Sequence, residues 1–381
     1  MKLNLYKKHN SFLSFSIRNK KEKKIVIEDI LRLINLLKLE DYSKKNRQII
    51  EKIKIDLSNN GKENTDTFTL NENVIDELAT FNEKDKINYL IHRYRYEIFP
   101  KKKIIDEYPP YLQIEPSSIC NYRCVFCFMT DKTLTDKKYG HMGQMKLDLF
   151  KKIVDAAEGN IEFLSLASRG EPMACKDIDK MLEYTHGKFL NLKINTNASL
   201  LNEKKIHSIL SGGVKTLVIS ADAADDETYK KLRVNGSLKK VLKNLELFNN
   251  IKEKNYSDSK IITRVSGVKV SDDQNFKEME NIWGGLVDQV AFVSYNPWEN
   301  SYDKESNEIT EPCSDLWRRM FVWWDGKVNP CDVDYKSKLS TGEFNGNISL
   351  LWNSENYKKL RSLHLDKERK KLKPCNACVV V

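Results

Sequence analysis

The chain has 381 residues, which at roughly 100–200 residues per domain is enough for two or three domains around a sizeable core. Hydrophobic residues make up 40% and charged residues 31%, mean hydropathy is −0.57, and no run nears the roughly 18 apolar residues that cross a bilayer, which excludes an integral helical membrane protein. The net charge of +10 sits mostly in residues 1–104, with 23 Lys+Arg against 15 Asp+Glu there and 41 against 39 beyond, so it reads as a solvated basic face and does not argue for a nucleic-acid partner.

The opening MKLNLYKKHNSFLSFSIRNKKEKK is broken by Lys7, Lys8 and Arg18 before an apolar signal core can form, which points to the cytoplasm. In that reducing compartment eight cysteines are expected to hold metal rather than each other. Residues 1–105 read as a mainly helical domain whose role no motif reveals. Its apolar periodicity runs through Ile30, Leu31, Leu33, Ile34 and Leu37, then Ile75, Leu78, Ile87 and Leu90, with a polar loop at Ser58–Thr69 around Gly61. Lys101–Lys103, between Pro100 and the pair Pro109–Pro110, marks the expected boundary.

From Tyr111 short β-rich runs alternate with helical ones, the pattern of βαβ units around a parallel sheet. Strands are expected at Tyr111–Glu115, Ile161–Leu166, Leu190–Asn195, Thr216–Ala221, Ile261–Val270 and Gln289–Ser294. Six units fall short of the roughly 250 residues of a closed eight-unit barrel, so the expected fold is α/β, a partial (βα)6 TIM-like barrel over residues 106–300. In such a barrel the chemistry lies just beyond the C-terminal ends of the strands.

The first expected strand runs into Cys120-Asn-Tyr-Arg-Cys124-Val-Phe-Cys127. Three thiols are one too few to close a four-cysteine site, and a cubane iron–sulfur cluster held by three keeps one iron open to an exogenous molecule. A zinc site is the alternative, though zinc usually takes paired knuckles and a fourth protein ligand.

This CxxxCxxC after the first barrel strand, with Phe126 as the aromatic residue before the last cysteine, resembles the radical S-adenosylmethionine (SAM) superfamily over roughly residues 111–295. The resemblance implies a 4Fe–4S cluster on Cys120, Cys124 and Cys127 whose open iron binds SAM, reductive cleavage of SAM to a 5′-deoxyadenosyl radical, and hydrogen abstraction from a substrate. It also implies an electron-donor protein such as flavodoxin or ferredoxin. Ser168-Arg169-Gly170-Glu171-Pro172 is similar to the family's Gly-Gly-Glu-Pro motif, which implies that Gly170 and Glu171 bind the cofactor, with the Glu171 carboxylate receiving the SAM amino group, while Arg169 departs from the usual glycine. Ser220 and Asp222 fall where the family holds the SAM ribose, and Arg264 and Gly267 where it meets the SAM carboxylate and adenine.

Near the C-terminus Cys313, Cys331, Cys375 and Cys378 are separated by 17 and 43 residues and close with CxxC. Four thiolates can saturate one cluster. With Asp325-Gly326 as a hairpin signal and Gly346-Asn-Ile348 before Leu351-Trp352, residues 301–381 resemble the SPASM or shorter twitch extension, which implies an auxiliary 4Fe–4S cluster fully ligated by protein; structural zinc is the alternative. Cys175 lacks a spacing partner and reads as an inert thiol. The resemblance implies an oxidoreductase acting on a small polar or carbohydrate-like molecule with the auxiliary cluster as electron acceptor. A maturase modifying a peptide or protein is the second reading, and a non-catalytic iron–sulfur or nucleic-acid-binding protein the third. Tyr295, Trp298, Glu299 and Arg233 are candidate substrate contacts.

Overall fold

The computed structural model describes residues 5–7, 11–59 and 66–381, which form two compact units, residues 19–106 and residues 1–18 with 107–381. The smaller unit consists of helices Lys23–Asn35, Lys44–Ser58, Glu72–Leu78 and Glu83–Lys102. Ser43 and Asn82 cap the second and fourth by accepting from the backbone N–H of Asn46 and Asp85. Ile30, Ile34, Ile49, Ile53, Val74, Leu78, Ile87 and Leu90 are buried, so the helical periodicity does mark an interior. Part of the expected Ser58–Thr69 loop, including Gly61, lies outside the described residues. Pro100 sits inside the last turn of its helix, which ends at Lys103 in the left-handed conformation.

The larger unit is built on an α/β sheet. Its strands are β1 (Phe12–Ile17), β2 (Tyr111–Ile114), β3 (Arg123–Cys124), β4 (Phe163–Leu166), β5 (Asn191–Thr196), β6 (Val214–Ser220), β7 (Arg233–Val234), β8 (Ile262–Lys269), β9 (Gln289–Ser294), β10 (Arg319–Val322), β11 (Lys327–Asn329) and β12 (Gly342–Glu343). The ten-stranded sheet has the order β1-β9-β8-β6-β5-β4-β2-β10-β11-β12 and does not close, while β3 and β7 form a separate antiparallel pair. The six expected strands are β2, β4, β5, β6, β8 and β9, all parallel to one another.

Two additions flank that parallel core. Residues 12–17, expected within the helical part, form β1 and pair antiparallel with β9, with a register shift between Phe12 and Ser14; apolar and polar residues alternate from Leu13 to Ile17. On the other side β10 pairs parallel with β2, so the segment after residue 300 adds strands to the same sheet.

One face of the sheet is apolar. Leu112, Ile114, Leu164, Leu166, Leu192, Ile194, Leu217, Ile219 and Val265 share a core with Phe150, Ile153, Val154 and Ala157, which recur at helical spacing on Leu147–Ala157. The register puts Gln113, Ser165, Lys193 and Thr216 side by side on the other face, and likewise Val218, Arg264 and Gln289. That second face is polar, and every expected site loop leaves the sheet at the C-terminal ends of its strands.

Candidate functional site

The loop after β2 carries the first three thiols. Cys124 lies on β3, paired with Arg233 on β7, which pins the middle of the loop to the chain after β6. The Tyr122 backbone N–H points at Cys120 Sγ at 3.4 Å, and the Cys127 N–H donates to the Cys124 carbonyl at 3.1 Å. Burial pushes the Cys120 thiol up to about 12, with the Glu171 carboxyl adding to the shift, and it raises Cys127 as well, with Cys124 and Cys120 contributing. Burial raises Cys124 too, opposed by the Arg233 guanidinium, whose Nη1 lies 3.8 Å from Cys124 Sγ. Three clustered thiols, Cys124 buried and Cys120 and Cys127 partly so, suit a cationic inorganic core, whose binding releases their protons. Cys175 is buried in the sheet's apolar core, away from this loop's role.

The turn between β4 and the short 3-10 helix Pro172–Ala174 carries the second group of site residues. A Cβ at Gly170 would stand 2.3 Å from the Ser117 carbonyl oxygen and 2.5 Å from the Ser118 carbonyl carbon, so only glycine lets the turn lie against the cysteine loop. The Glu171 N–H then donates to the Ile119 carbonyl at 3.0 Å. Glu171 is buried. Its Oε1 accepts from Met173 N–H at 3.0 Å and the Thr196 hydroxyl at 2.6 Å, and its Oε2 from Asn197 N–H at 2.7 Å. Burial raises its carboxyl above the ordinary value, while the bonds from Asn197, Thr196 and Met173 pull it back. Oε2 keeps capacity for a further donor.

The loop after β5 ties these parts together, a role the sequence reading left unassigned. Asn197 Nδ2 donates to Asn121 Oδ1 at 3.0 Å, and Asn121 Nδ2 donates to the Ser199 hydroxyl at 2.9 Å, so the residue after Cys120 is held by the same loop that holds Glu171. Asparagine is common in turns, which hid this pairing across the chain.

Two of the expected contacts are engaged by the chain itself. Asp222 is fully buried, with Oδ1 accepting from Val268 N–H at 2.7 Å and Oδ2 ion-paired to Arg233 Nε at 2.6 Å. Arg233, expected to face substrate, is likewise buried and stands between Asp222 and Cys124. Both side chains therefore act beneath the cysteine loop, because each needs a charge partner once removed from water. Ser220, half-buried at the end of β6, pairs in register with Ser266 on the polar face. Arg264 lies on that face, donating to Gln289 Oε1 at 2.5 Å with its guanidinium 5.4 Å from the Phe15 ring centre. Gly267 gives β8 its close approach to Phe292 and the Ala221 carbonyl.

Beyond β9, the Trp298 indole N–H donates to the Phe126 carbonyl at 3.0 Å, which brings this loop over the first cysteine site. The Tyr295 hydroxyl donates to Glu299, and Lys304 Nζ reaches the same Oε1 at 3.3 Å. Burial, then Glu299, raises the Tyr295 hydroxyl above its usual range.

The remaining four cysteines converge. Cys313, Cys331, Cys375 and Cys378 line one small pocket together with Asp315, Val333, Arg369, Pro374 and Val380. Cys331 follows a hairpin formed by β10 and β11, with Gly326 at φ +89° as the Asp-Gly signal predicts. Buried Arg369 donates to the carbonyls of Cys375, Cys378, Glu311 and Val380 at 2.8–3.3 Å and so shapes the CxxC turn. Burial pushes the Cys313 thiol up to about 11 and raises Cys331 and Cys375, with neighbouring thiols adding to each. Four thiols around one cavity, with a cation behind their turn, fit a fully ligated cluster.

Residues of the two cysteine sites meet at an aromatic wall. Phe128, next to Cys127, stacks on Tyr335 with centroids 5.1 Å apart, and Tyr335 meets Tyr302 edge-on at 5.0 Å.

Comparison with known proteins follows this division. The profile of the radical SAM superfamily matches residues 114–280, and that of an iron–sulfur cluster-binding domain, SPASM, matches residues 313–379. The chain is similar to a GTP 3′,8-cyclase of Clostridium botulinum, 27% identical over 216 residues, 54% of this chain and 64% of that protein. It thus spans about 64% of the length of the first curated relative it matches. Among solved structures it is similar to Streptococcus suis SuiB bound to precursor peptide SuiA, with a TM-score of 0.51 and 16% identity over 93% of this chain and 86% of that one. It is also similar to BtrN in complex with AdoMet and 2-DOIA, with a TM-score of 0.48 and 17% identity over 70% of this chain and 92% of that one.

Proposed function

We propose that this chain, which belongs to the radical SAM superfamily and carries a SPASM domain behind its barrel, oxidises a polar substrate by hydrogen abstraction. The observation that carries the reading is the division of seven cysteines into three on one loop after β2 and four around one pocket. When bound, the first cluster with SAM supplies a 5′-deoxyadenosyl radical that takes a hydrogen atom from substrate, and the second supplies an acceptor for the electron left behind.

The chain's own residues hold and orient these groups. Cys120, Cys124 and Cys127 ligate the first cluster, with Arg233 favouring the thiolate of Cys124. Glu171, fixed by Thr196 and Asn197, receives the SAM amino group through its free acceptor capacity. Ser220 and Arg264 extend the SAM site along the polar face. Trp298 covers the cysteine loop and excludes water, and Tyr295 with Glu299 offers a proton-handling pair at the same mouth. Cys313, Cys331, Cys375 and Cys378 ligate the auxiliary cluster.

The polar face of the sheet, with Gln113, Ser165, Lys193 and Thr216 in register, favours a small hydrophilic substrate. A peptide substrate is the second reading. It is favoured by the likeness to SuiB bound to its precursor peptide, which extends over 93% of this chain and so into the helical unit. Anaerobic reconstitution followed by single-turnover assay tests the proposal. The expected result is iron for two cubanes per chain and, with SAM and a substrate, optical bleaching of the auxiliary cluster as product forms. Iron for one cubane only, after full reconstitution, contradicts it.

A further inference from the structure

We propose that Arg169 is a positioning residue that ties the SAM affinity of the Glu171 turn to the order of the auxiliary-cluster domain; the inference rests on reading Glu171 as the SAM contact. The turn is strained. Ser168 takes φ +144°, a backbone conformation that side chains rarely adopt, and its buried hydroxyl finds no partner. Such a conformation persists only where the surroundings hold it.

Arg169 supplies that hold. Its backbone N–H and its Nε donate to Glu115 Oε2 at 3.1 and 2.7 Å, and its Nη2 donates to Oε1 at 2.5 Å. Its remaining fork, Nη1, donates to the Tyr335 carbonyl at 2.9 Å, and the guanidinium lies 4.6 Å from the Trp323 ring centre. Glu115 in turn accepts from the Trp324 N–H at 3.3 Å. Trp323 and Trp324 directly follow the strand β10 between Cys313 and Cys331, and Tyr335 lies four residues beyond Cys331. One buried side chain therefore joins the SAM turn, the strand end that feeds the cysteine loop, and the segments that present the auxiliary cysteines.

Only arginine offers this geometry. A lysine could sit over Trp323 or reach Glu115, but it has no rigid fork to serve Glu115 and Tyr335 together. When the segment around Cys331 loosens, Arg169 loses its Tyr335 acceptor, the turn relaxes, and Glu171 shifts relative to Thr196 and Asn197. By reciprocity, SAM binding favours an ordered auxiliary domain.

A double-mutant cycle on the full-length, anaerobically reconstituted protein tests this. SAM affinity is measured by equilibrium binding without reductant, so no turnover is needed, for the parent, Arg169→Lys, Cys378→Ala and the double variant. The account predicts that each single change weakens SAM binding about tenfold. It further predicts that the double variant is no weaker than the worse single, and that Arg169→Lys keeps the parent's iron content. Parental affinity in Arg169→Lys, or losses that multiply in the double variant, overturns the inference. Should Arg169→Lys fail to fold, Trp323→Leu takes its place in the same cycle with the same two outcomes. A parent that binds no SAM at all defeats the reading of Glu171 itself, a different result from any of these.

Discussion

Arg233 Nη1 lies 3.8 Å from Cys124 Sγ while its Nε is paired with Asp222 at 2.6 Å, so one buried cation serves both a cluster ligand and a buried carboxylate. Removing it leaves Asp222 charged and alone beneath the cysteine loop, a change that costs about 3–5 kcal/mol. Arg233→Met should lower the denaturation midpoint accordingly and bind less iron at the first site. Arg233→Met combined with Asp222→Leu should lose less stability than the sum of the singles, since no unpaired charge remains. Strict additivity, measured by denaturant titration, would show that the pair does not act as a unit.

Glu171 accepts three hydrogen bonds from the chain and is read as accepting a fourth from SAM. Glu171→Gln keeps the shape but loses the charge. Because a hydrogen bond between charged groups is worth about 1.5–3 kcal/mol, SAM should bind about tenfold to a hundredfold more weakly, with cluster iron unchanged. Equal dissociation constants for variant and parent would remove Glu171 from the SAM site.

At Gly170 an added methyl would meet backbone atoms of Ser117 and Ser118 at 2.3 and 2.5 Å, neither of which is a flexible side-chain end. Gly170→Ala should therefore push the Glu171 turn away from the cysteine loop, destabilising the fold by about 1–3 kcal/mol and weakening SAM binding. A melting temperature and SAM affinity equal to the parent's would mean the close approach is dispensable.

Asp334 sets a pH dependence. Burial pushes its carboxyl from the ordinary 3.8 to about 7, against bonds from Tyr302 and from the Leu339 and Lys338 N–H groups. A carboxyl whose folded pKa is raised holds its proton more tightly in the folded state, so its contribution to stability is full below 3.8 and is lost as pH rises through about 7. The denaturation midpoint should fall as pH rises from about 4 to about 7 and level off above that, and Asp334→Asn should flatten that slope. A slope unchanged by Asp334→Asn would assign it to another group.

What could be read from the sequence was local. The six parallel strands announce themselves by short apolar runs between helical periods, and the cysteines by spacing alone. The alternation in β1 spans only five residues, Leu13–Ile17, and stands directly before helical periods, so it does not mark a strand by itself. Partnerships between distant residues were hidden. Nothing near Arg169 names Glu115 or the Tyr335 carbonyl, and nothing near Asp222 names Arg233. A motif position tells which strand end a residue occupies, whereas the direction of its side chain depends on a partner 11 or more residues away. For that reason the pairing of Asp222 with Arg233, both expected to face bound molecules, could not be read from the sequence.

The central claim is that the Cys120, Cys124 and Cys127 loop with Glu171 binds SAM at a cluster and cleaves it reductively. Its most direct test is 5′-deoxyadenosine formation by the anaerobically reconstituted chain with dithionite and SAM. The account predicts product from the parent and none from Cys124→Ala at comparable auxiliary-site iron. Product from Cys124→Ala at the parent's rate, or none from a parent loaded with both clusters, would contradict it.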